Sequence, residues 1–208
     1  EVPVPEVGPR QVRVRVHATA VNPLDYQIRR GDYTDYVPLP AIIGHDISGV
    51  VEELGSDVRE FAVGDEVYYT PKIFGDAGSY AEQHVADVEL VGRKPRSLSF
   101  TQAAALPLTA ITAWECLFDR FRIPVGKAPT DDAILIIGAA GGVGSIAVQL
   151  ARRLTNLTII GTASRPETRD WVTASGAHHV IDHSQPLLAQ LQALGVPEID
   201  YVASLTHT

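Results

Sequence analysis

The chain has 208 residues, 45% of them hydrophobic and 20% charged, with a formal net charge of −8. That is enough apolar material for one or two domains with buried cores, and the acidic balance disfavours nucleic acid or an anionic membrane surface as the main partner. No run approaches the roughly 18 apolar residues of a membrane span, and a single cysteine, Cys116, excludes an intramolecular disulfide, so a reducing cytoplasmic setting is expected. Glu1 opens the chain and no methionine occurs anywhere, which suggests an interior fragment.

Up to about residue 99 the pattern is of short strands and turns. Gln11–His17 alternates so that its valines share one face, and further strands are read at 47–53, 66–69 and 80–85, with turns at Gly8-Pro9, Gly55-Ser56 and Gly64-Asp65. Residues 18–26 read as another alternating strand, with Asn22 and Asp25 at its end. Thr101 is placed to cap a helix through Ala105 that resumes after Pro107 and runs to Phe118, with Cys116 as an inert core residue. A linker-like stretch follows at about 123–131. From Ala133 the period switches: strand 133–137, helix 142–154, strand 157–161, helix 166–175, strand 178–181, helix 185–193 and strand 199–203, an α/β parallel sheet with right-handed crossovers.

The first strand of that sheet is followed at once by Gly138-Ala-Ala-Gly-Gly-Val-Gly144 and a helix with apolar residues at helical spacing. A glycine turn in that context is an anion cradle. Ala140, Gly141, Gly142, Val143 and Gly144 offer backbone to a pyrophosphate, Gly141 by permitting close approach and Gly144 by letting the helix lie on the sheet. The second strand runs out through Gly161-Thr-Ala-Ser-Arg165 with no carboxylate at its tip, where an NAD-specific fold carries one. Ser164 and Arg165 stand there instead, donors suited to the extra phosphate of NADPH. The bland alternative has Ser164 capping the helix that begins near Pro166, and Arg165 as a solvated loop charge. Glu167 reads as a dipole partner of that helix. Ser204 and Leu205, in Ser204-Leu-Thr-His207, follow the fourth strand where cofactor contacts are expected.

The order of the two halves, with Val21-Asn-Pro-Leu-Asp25, Gly44-His-Asp46, Gly49-Val-Val51, Gly64-Asp-Glu-Val67, Gly78-Ser-Tyr-Ala-Glu82, Ala103-Ala-Ala-Leu-Pro107, Thr112-Ala-Trp114 and the glycine turn, resembles the medium-chain dehydrogenase/reductase superfamily. Its zinc-free quinone-oxidoreductase-like branch is the nearest likeness. The resemblance implies an α/β protein with a partial GroES-like substrate domain at 1–107 and a partial Rossmann NADP-binding domain at 108–208. Only four of roughly six parallel strands are present, so truncation at both ends is expected. It further implies a nicotinamide in the crevice between domains and a homodimer. Alcohol dehydrogenases of this superfamily hold a catalytic zinc with two cysteines and a histidine. Here Asn22 stands at the first cysteine position and Leu108 near the second, and only His45 remains, so no metal is expected. His178 and His179, neighbours on a predicted strand, point to opposite faces and do not rebuild a site.

For the chemistry, the resemblance places Asn22 towards the nicotinamide pocket and Thr112 near the nicotinamide. Some quinone reductases carry a tyrosine two residues after the Asp25 position. Gln27 stands there, with Tyr26 one place earlier, and both are pocket candidates. His183 falls where related reductases place a ring beside the adenosine phosphate. Tyr33 and Tyr36 lie in a loop able to shape a cleft for a flat acceptor. The implied activity is NADPH-dependent hydride transfer to quinones or α,β-unsaturated carbonyls. An alcohol or enoyl-thioester reductase, and a non-catalytic NADPH-binding protein, are the alternatives, and fold alone does not choose among them.

Overall fold

A computed structural model describes residues 2–75, 77–196 and 198–206. They fall into two compact units, Glu1–Leu108 and Thr109–Thr208. In the first, β1 (Gln11–Ala18), β2 (Ile47–Leu54), β3 (Glu66–Tyr69), β4 (Gln83–Asp87) and β5 (Gly92–Arg93) form an antiparallel sheet in the order β4-β1-β2-β3-β5. The period-two pattern of β1 does what it predicts: Val12 and Val14 are buried together with Ile47, Val51, Val67, Tyr69 and Ala86.

Two local expectations are corrected here. The stretch read as a strand ending in Asn22 and Asp25 is the start of a helix, α1 (Pro23–Arg30). Proline at the first helical position, an acid at the third, two arginines in the last turn and Gly31 at φ 94° as the cap outweigh the short alternation before them. β4 begins at Gln83 and not at Tyr80, because Gly78, Ser79 and Tyr80 donate their N–H groups to Ile42, Gly44 and Ile43 instead of to a strand partner. Gly78 is required for that contact, since a Cβ there would lie 2.2 Å from the Ile43 carbonyl carbon.

The helical stretch that follows is broken as Pro107 predicts, into α2 (Phe100–Ala104) and α3 (Pro107–Trp114), the latter continuing as a wider π-helical segment over Glu115–Arg120. The cap of α2 is Ser99, not Thr101. Ser99 Oγ accepts from the Gln102 N–H and Gln102 Oε1 accepts from the Ser99 N–H, a reciprocal box that Thr101 has no acid or amide to form.

In the second unit β6 (Ala133–Ile137), α4 (Gly142–Leu154), β7 (Thr158–Thr162), α5 (Pro166–Ser175), β8 (His179–Ile181), α6 (Leu187–Ala193) and β9 (Tyr201–Ser204) alternate, and the parallel sheet has the order β8-β7-β6-β9. Each lies within two residues of its expected place. Ile134 and Ile136 pack on one face with Ala147, Val148 and Ala151 of α4, while Ala133 and Leu135 pack on the other with Leu191 of α6. That two-sided burial is why β6 reads as an unbroken apolar run. The chain leaves β6 towards β7 and β8 on one side and later returns to β9 on the other. The switch point therefore lies at the carboxyl ends of β6 and β9, where open α/β sheets bind ligands.

Candidate functional site

Within the second unit, β6 ends in Gly138, at φ 81°, whose N–H donates to Thr162 Oγ1 at 3.0 Å. The Gly141 N–H returns to the Gly138 carbonyl at 3.0 Å, and the first bond of α4 runs from the Ser145 N–H to the Gly141 carbonyl. The N–H groups of Gly142, Val143 and Gly144 precede that bond, at the positive end of a 13-residue helix. A Cβ on Gly144 would lie 2.3 Å from the Gly138 oxygen and 2.7 Å from Ala139 Cα, so only glycine lets the helix lie this close to the turn. Ala139, in place of the first glycine of the usual hexamer, turns its methyl into the core.

The other cofactor candidates of this unit lie along the same edge of the sheet. Thr162 pairs with Ile181, and the Ala163 N–H donates to the Ile181 carbonyl at 3.0 Å, so Ser164 and His183 leave adjacent strands at the same level. Both are exposed. Arg165 holds the cap position of α5, a place expected for Ser164 in the bland reading; its side chain is 72% exposed, with Nε 3.7 Å from Glu167 Oε1. Ser204 pairs with Ile137 at the end of β9, and the Leu205 N–H donates to the Ile137 carbonyl at 3.1 Å. His207 lies outside the described residues. Gly142 approaches Thr109, whose methyl would meet an added Cβ at 3.0 Å, and Thr112 follows one turn later on α3, exposed.

The first unit holds a different kind of cluster. Asp25, Asn22, His45 and Asp46 are all buried, and each finds polar partners. Asp25 Oδ1 lies 2.6 Å from His45 Nδ1, and Asp25 Oδ2 accepts from the Asn22 N–H at 2.7 Å and from the Tyr80 hydroxyl at 3.0 Å. His45 Nε2 lies 3.2 Å from the Ile73 carbonyl. A carbonyl only accepts, and so does an ionised carboxylate, so this pair of contacts favours the doubly protonated ring. Burial opposes that charge, but the Asp25 contact and the Ile73 carbonyl outweigh it and raise the His45 pKa. Burial likewise pushes Asp25 up, yet bonds from His45, Asn22 and Tyr80 hold its carboxyl below the usual range. Tyr80, partly desolvated and bonded to that carboxylate, is pushed up to about 12.

Asp46 has the opposite fate. Its oxygens accept from Asn22 Nδ2 at 2.7 Å and from the Leu108 N–H at 2.8 Å, but burial dominates and its pKa is raised, with the Asp25 charge adding to the rise. The Thr19 hydroxyl donates to the Asp46 carbonyl at 2.7 Å, so at its 2.7 Å contact with Ser79 the serine must be the donor. Tyr26 is not part of this cluster; it is 50% exposed on α1. Tyr33 and Tyr36 both pack on Phe74, with ring centroids 5.6 and 5.0 Å away.

Residues 8–96 match the profile of the alcohol dehydrogenase GroES-like domain. Along nearly its whole length the chain resembles the medium-chain dehydrogenase/reductase superfamily. It is 39% identical over 207 residues to a zinc-type alcohol dehydrogenase-like protein of Staphylococcus aureus, covering 99% of this chain and 60% of that one. It is 37% identical to the chloroplastic NADPH-dependent alkenal/one oxidoreductase of Arabidopsis thaliana, covering 90% of this chain and 49% of that one. Among solved structures, a zinc-dependent alcohol dehydrogenase candidate from Rhizobium etli CFN 42 matches with a TM-score of 0.88 and 49% identity, over 100% of this chain and 60% of that one. The Escherichia coli quinone oxidoreductase complexed with NADPH matches with a TM-score of 0.81 and 29% identity, over 97% and 60%. The chain thus spans about 60% of the length of the first curated relative it matches.

Two of those relatives carry zinc in their names, a metal that the residues of this chain would have to hold. These residues do not fit it. Both ring nitrogens of His45 are engaged, the Asn22 amide is bonded to Asp46, and Leu108 contributes a backbone N–H in place of a thiolate. Among the described residues no group of three His, Cys, Asp or Glu is placed to hold a metal ion. Asn22, His45 and Leu108 are instead stitched to a pair of carboxylates, Asp25 and Asp46. Sequence reasoning missed Asp46, Tyr80 and Arg169; the signal available for the first two was that polar residues beside buried glycine-rich segments need partners.

Proposed function

We propose that this protein is an NADPH-dependent oxidoreductase that delivers hydride to quinones or α,β-unsaturated carbonyls without a metal. The observation that carries this reading is the convergence, on one edge of the parallel sheet, of the glycine turn with Ser164, Arg165 and His183, and with no carboxylate at the tip of β7. The E. coli quinone oxidoreductase with NADPH and the NADPH-dependent plant oxidoreductase support it as relatives. Residues 1–107 serve the acceptor and residues 108–208 the cofactor. The turn from Ala140 to Gly144 takes the pyrophosphate, on the N–H groups of Gly142, Val143 and Gly144 with Gly141 allowing the close approach, Ser164, Arg165 and His183 take the adenosine phosphate, and Ser204 and Leu205 the nicotinamide ribose.

A bound dihydronicotinamide supplies the hydride. Negative charge then develops on the acceptor oxygen and needs donors, because no metal acts as Lewis acid here. The Thr112 hydroxyl orients the nicotinamide or the acceptor. Asn22, which has a second amide hydrogen beyond the one given to Asp46, is held in place by Asp25. Tyr26 contacts the acceptor from the exposed side of α1. The reading includes a cytoplasmic homodimer.

The test is NADPH oxidation by the full-length protein with ortho- and para-quinones, enones, aldehydes and alcohols, with and without a chelator. Chelator-insensitive turnover of quinones or enones is expected. Chelator-sensitive alcohol oxidation overturns the metal-free reading, and tight NADPH binding without turnover of any acceptor favours a non-catalytic role. Sedimentation of the same preparation reports the oligomeric state.

A further inference from the structure

The NADPH reading names residues that face the cofactor, but Ser164, Arg165 and His183 are all exposed and come from two separate strand ends. Something must fix their spacing. β8 is only three residues long and, among the described residues, lies at the edge of the sheet and pairs with β7 alone. A strand so short has few ladder bonds to hold its end.

Arg169, on α5 between these two strands, spans the gap. Its Nη1 donates to the Ala163 carbonyl at 3.2 Å and its Nη2 to the Val180 carbonyl at 2.9 Å. Ala163 immediately precedes Ser164, and Val180 lies three residues before His183. Beyond that point the β8 exit is shaped by further bonds: the Asp182 N–H donates to Gln190 Oε1, Gln190 Nε2 donates to the Asp182 carbonyl, and the Asp182 carboxylate accepts from the Ser184 N–H and hydroxyl. Arg169 also faces Asp182 electrostatically, so its charge opposes the one carboxylate on this exit that would repel a phosphate.

We infer that Arg169 is a positioning residue for cofactor choice: its planar fork locks the ends of β7 and β8 together and so sets Ser164, Arg165 and His183 at the spacing of a phosphate dianion. The planar guanidinium is the feature that matters, because two carbonyls on different strands need two donors in a fixed geometry. This rests on the NADPH reading and adds to it a residue that contacts no cofactor.

The test is calorimetric binding of NADPH, NADH and 2′,5′-ADP to the full-length wild type and Arg169→Lys. Lysine keeps the charge but brings a single ammonium in place of the fork, so NADPH and 2′,5′-ADP affinity should fall about tenfold while NADH changes by less than about twofold. Equal losses for NADPH and NADH mean a general structural role and overturn the inference, as does an unchanged preference. A wild type that binds NADH as tightly as NADPH overturns the underlying reading and this inference with it. The second measurement needs no variant. In the wild type NADPH, but not NADH, should slow amide exchange across 180–184, and equal slowing by both overturns the inference.

Discussion

The two units build their polar features in contrasting ways. In the second unit the feature is backbone: a strand, a glycine turn and the first turn of a helix, contiguous from Ala133 to Gly144, with N–H groups presented by geometry alone. In the first unit it is side chains: Asn22, Asp25, His45 and Asp46, brought from separated stretches and buried where they satisfy one another, with the more exposed Tyr80 hydroxyl bonded to Asp25. A backbone cradle is insensitive to pH and intolerant of added atoms. A buried charge network is tolerant of neither lost partners nor lost protons, and here it holds Asn22, His45 and Leu108 together.

Removing one partner of the buried pair gives the largest effect. Asp25→Ala leaves the His45 imidazolium buried without its carboxylate, and should destabilise the first unit by about 3–5 kcal/mol. Both tryptophans, Trp114 and Trp171, lie in the second unit, so amide exchange of β1 and β2 should show this loss while Trp fluorescence barely changes. A loss shared equally by both probes would mean that the two units unfold together. Next comes Gly144→Ala. With its Cβ 2.3 Å from a backbone oxygen the turn must shift, at a cost of about 1–3 kcal/mol. NADPH binding should then weaken sharply and β1 exchange stay unchanged, and binding at wild-type strength would show the turn to be dispensable.

The pH dependence is smaller and follows from the signs. His45 has a raised pKa, so its contribution is fully present below its ordinary value of 6.5 and is lost as pH rises through the raised value. Asp25 has a lowered pKa, so its contribution is present above 3.8 and is lost as pH falls through the lowered value. Asp46, raised, works against the pair by removing stability as pH climbs above 3.8. The first unit should therefore be most stable at the acid end of the window between about 3.8 and 6.5, and weaken on the alkaline side first through Asp46 and then through His45. In Asp25→Asn that alkaline slope should flatten. A slope that persists there would place the responsible proton elsewhere. Smallest is Arg165→Ala, which should lower the preference for NADPH over NADH by about tenfold and leave melting unchanged. Equal affinities before and after the substitution would make Arg165 a surface charge only.

The parallel sheet and its glycine turn were legible because each element there is encoded by neighbours. Apolar runs mark strands covered on both faces, and glycine marks where backbone must approach backbone, as Gly144 does. Errors arose where two local codes competed. Short alternation suggested a strand through Asn22 and Asp25, while proline, an acid and a terminal glycine encoded α1, and helix-end chemistry prevailed. Thr101 was the expected cap of α2, and the reciprocal bonds between Gln102 and Ser99 select Ser99 instead.

Sequence by itself therefore determined the class of each unit, the strand, glycine turn and helix from Ala133 to Leu154 and the missing carboxylate at the tip of β7, since all of these depend on residues within one turn or one strand of each other. Only the tertiary structure decided that His45 is paired with Asp25, that Tyr80 rather than Tyr26 reaches that carboxylate, and that Arg169 bonds the ends of β7 and β8. Those outcomes depend on which distant groups are left with a donor and no acceptor, and burial makes that mismatch costly only once the chain has folded.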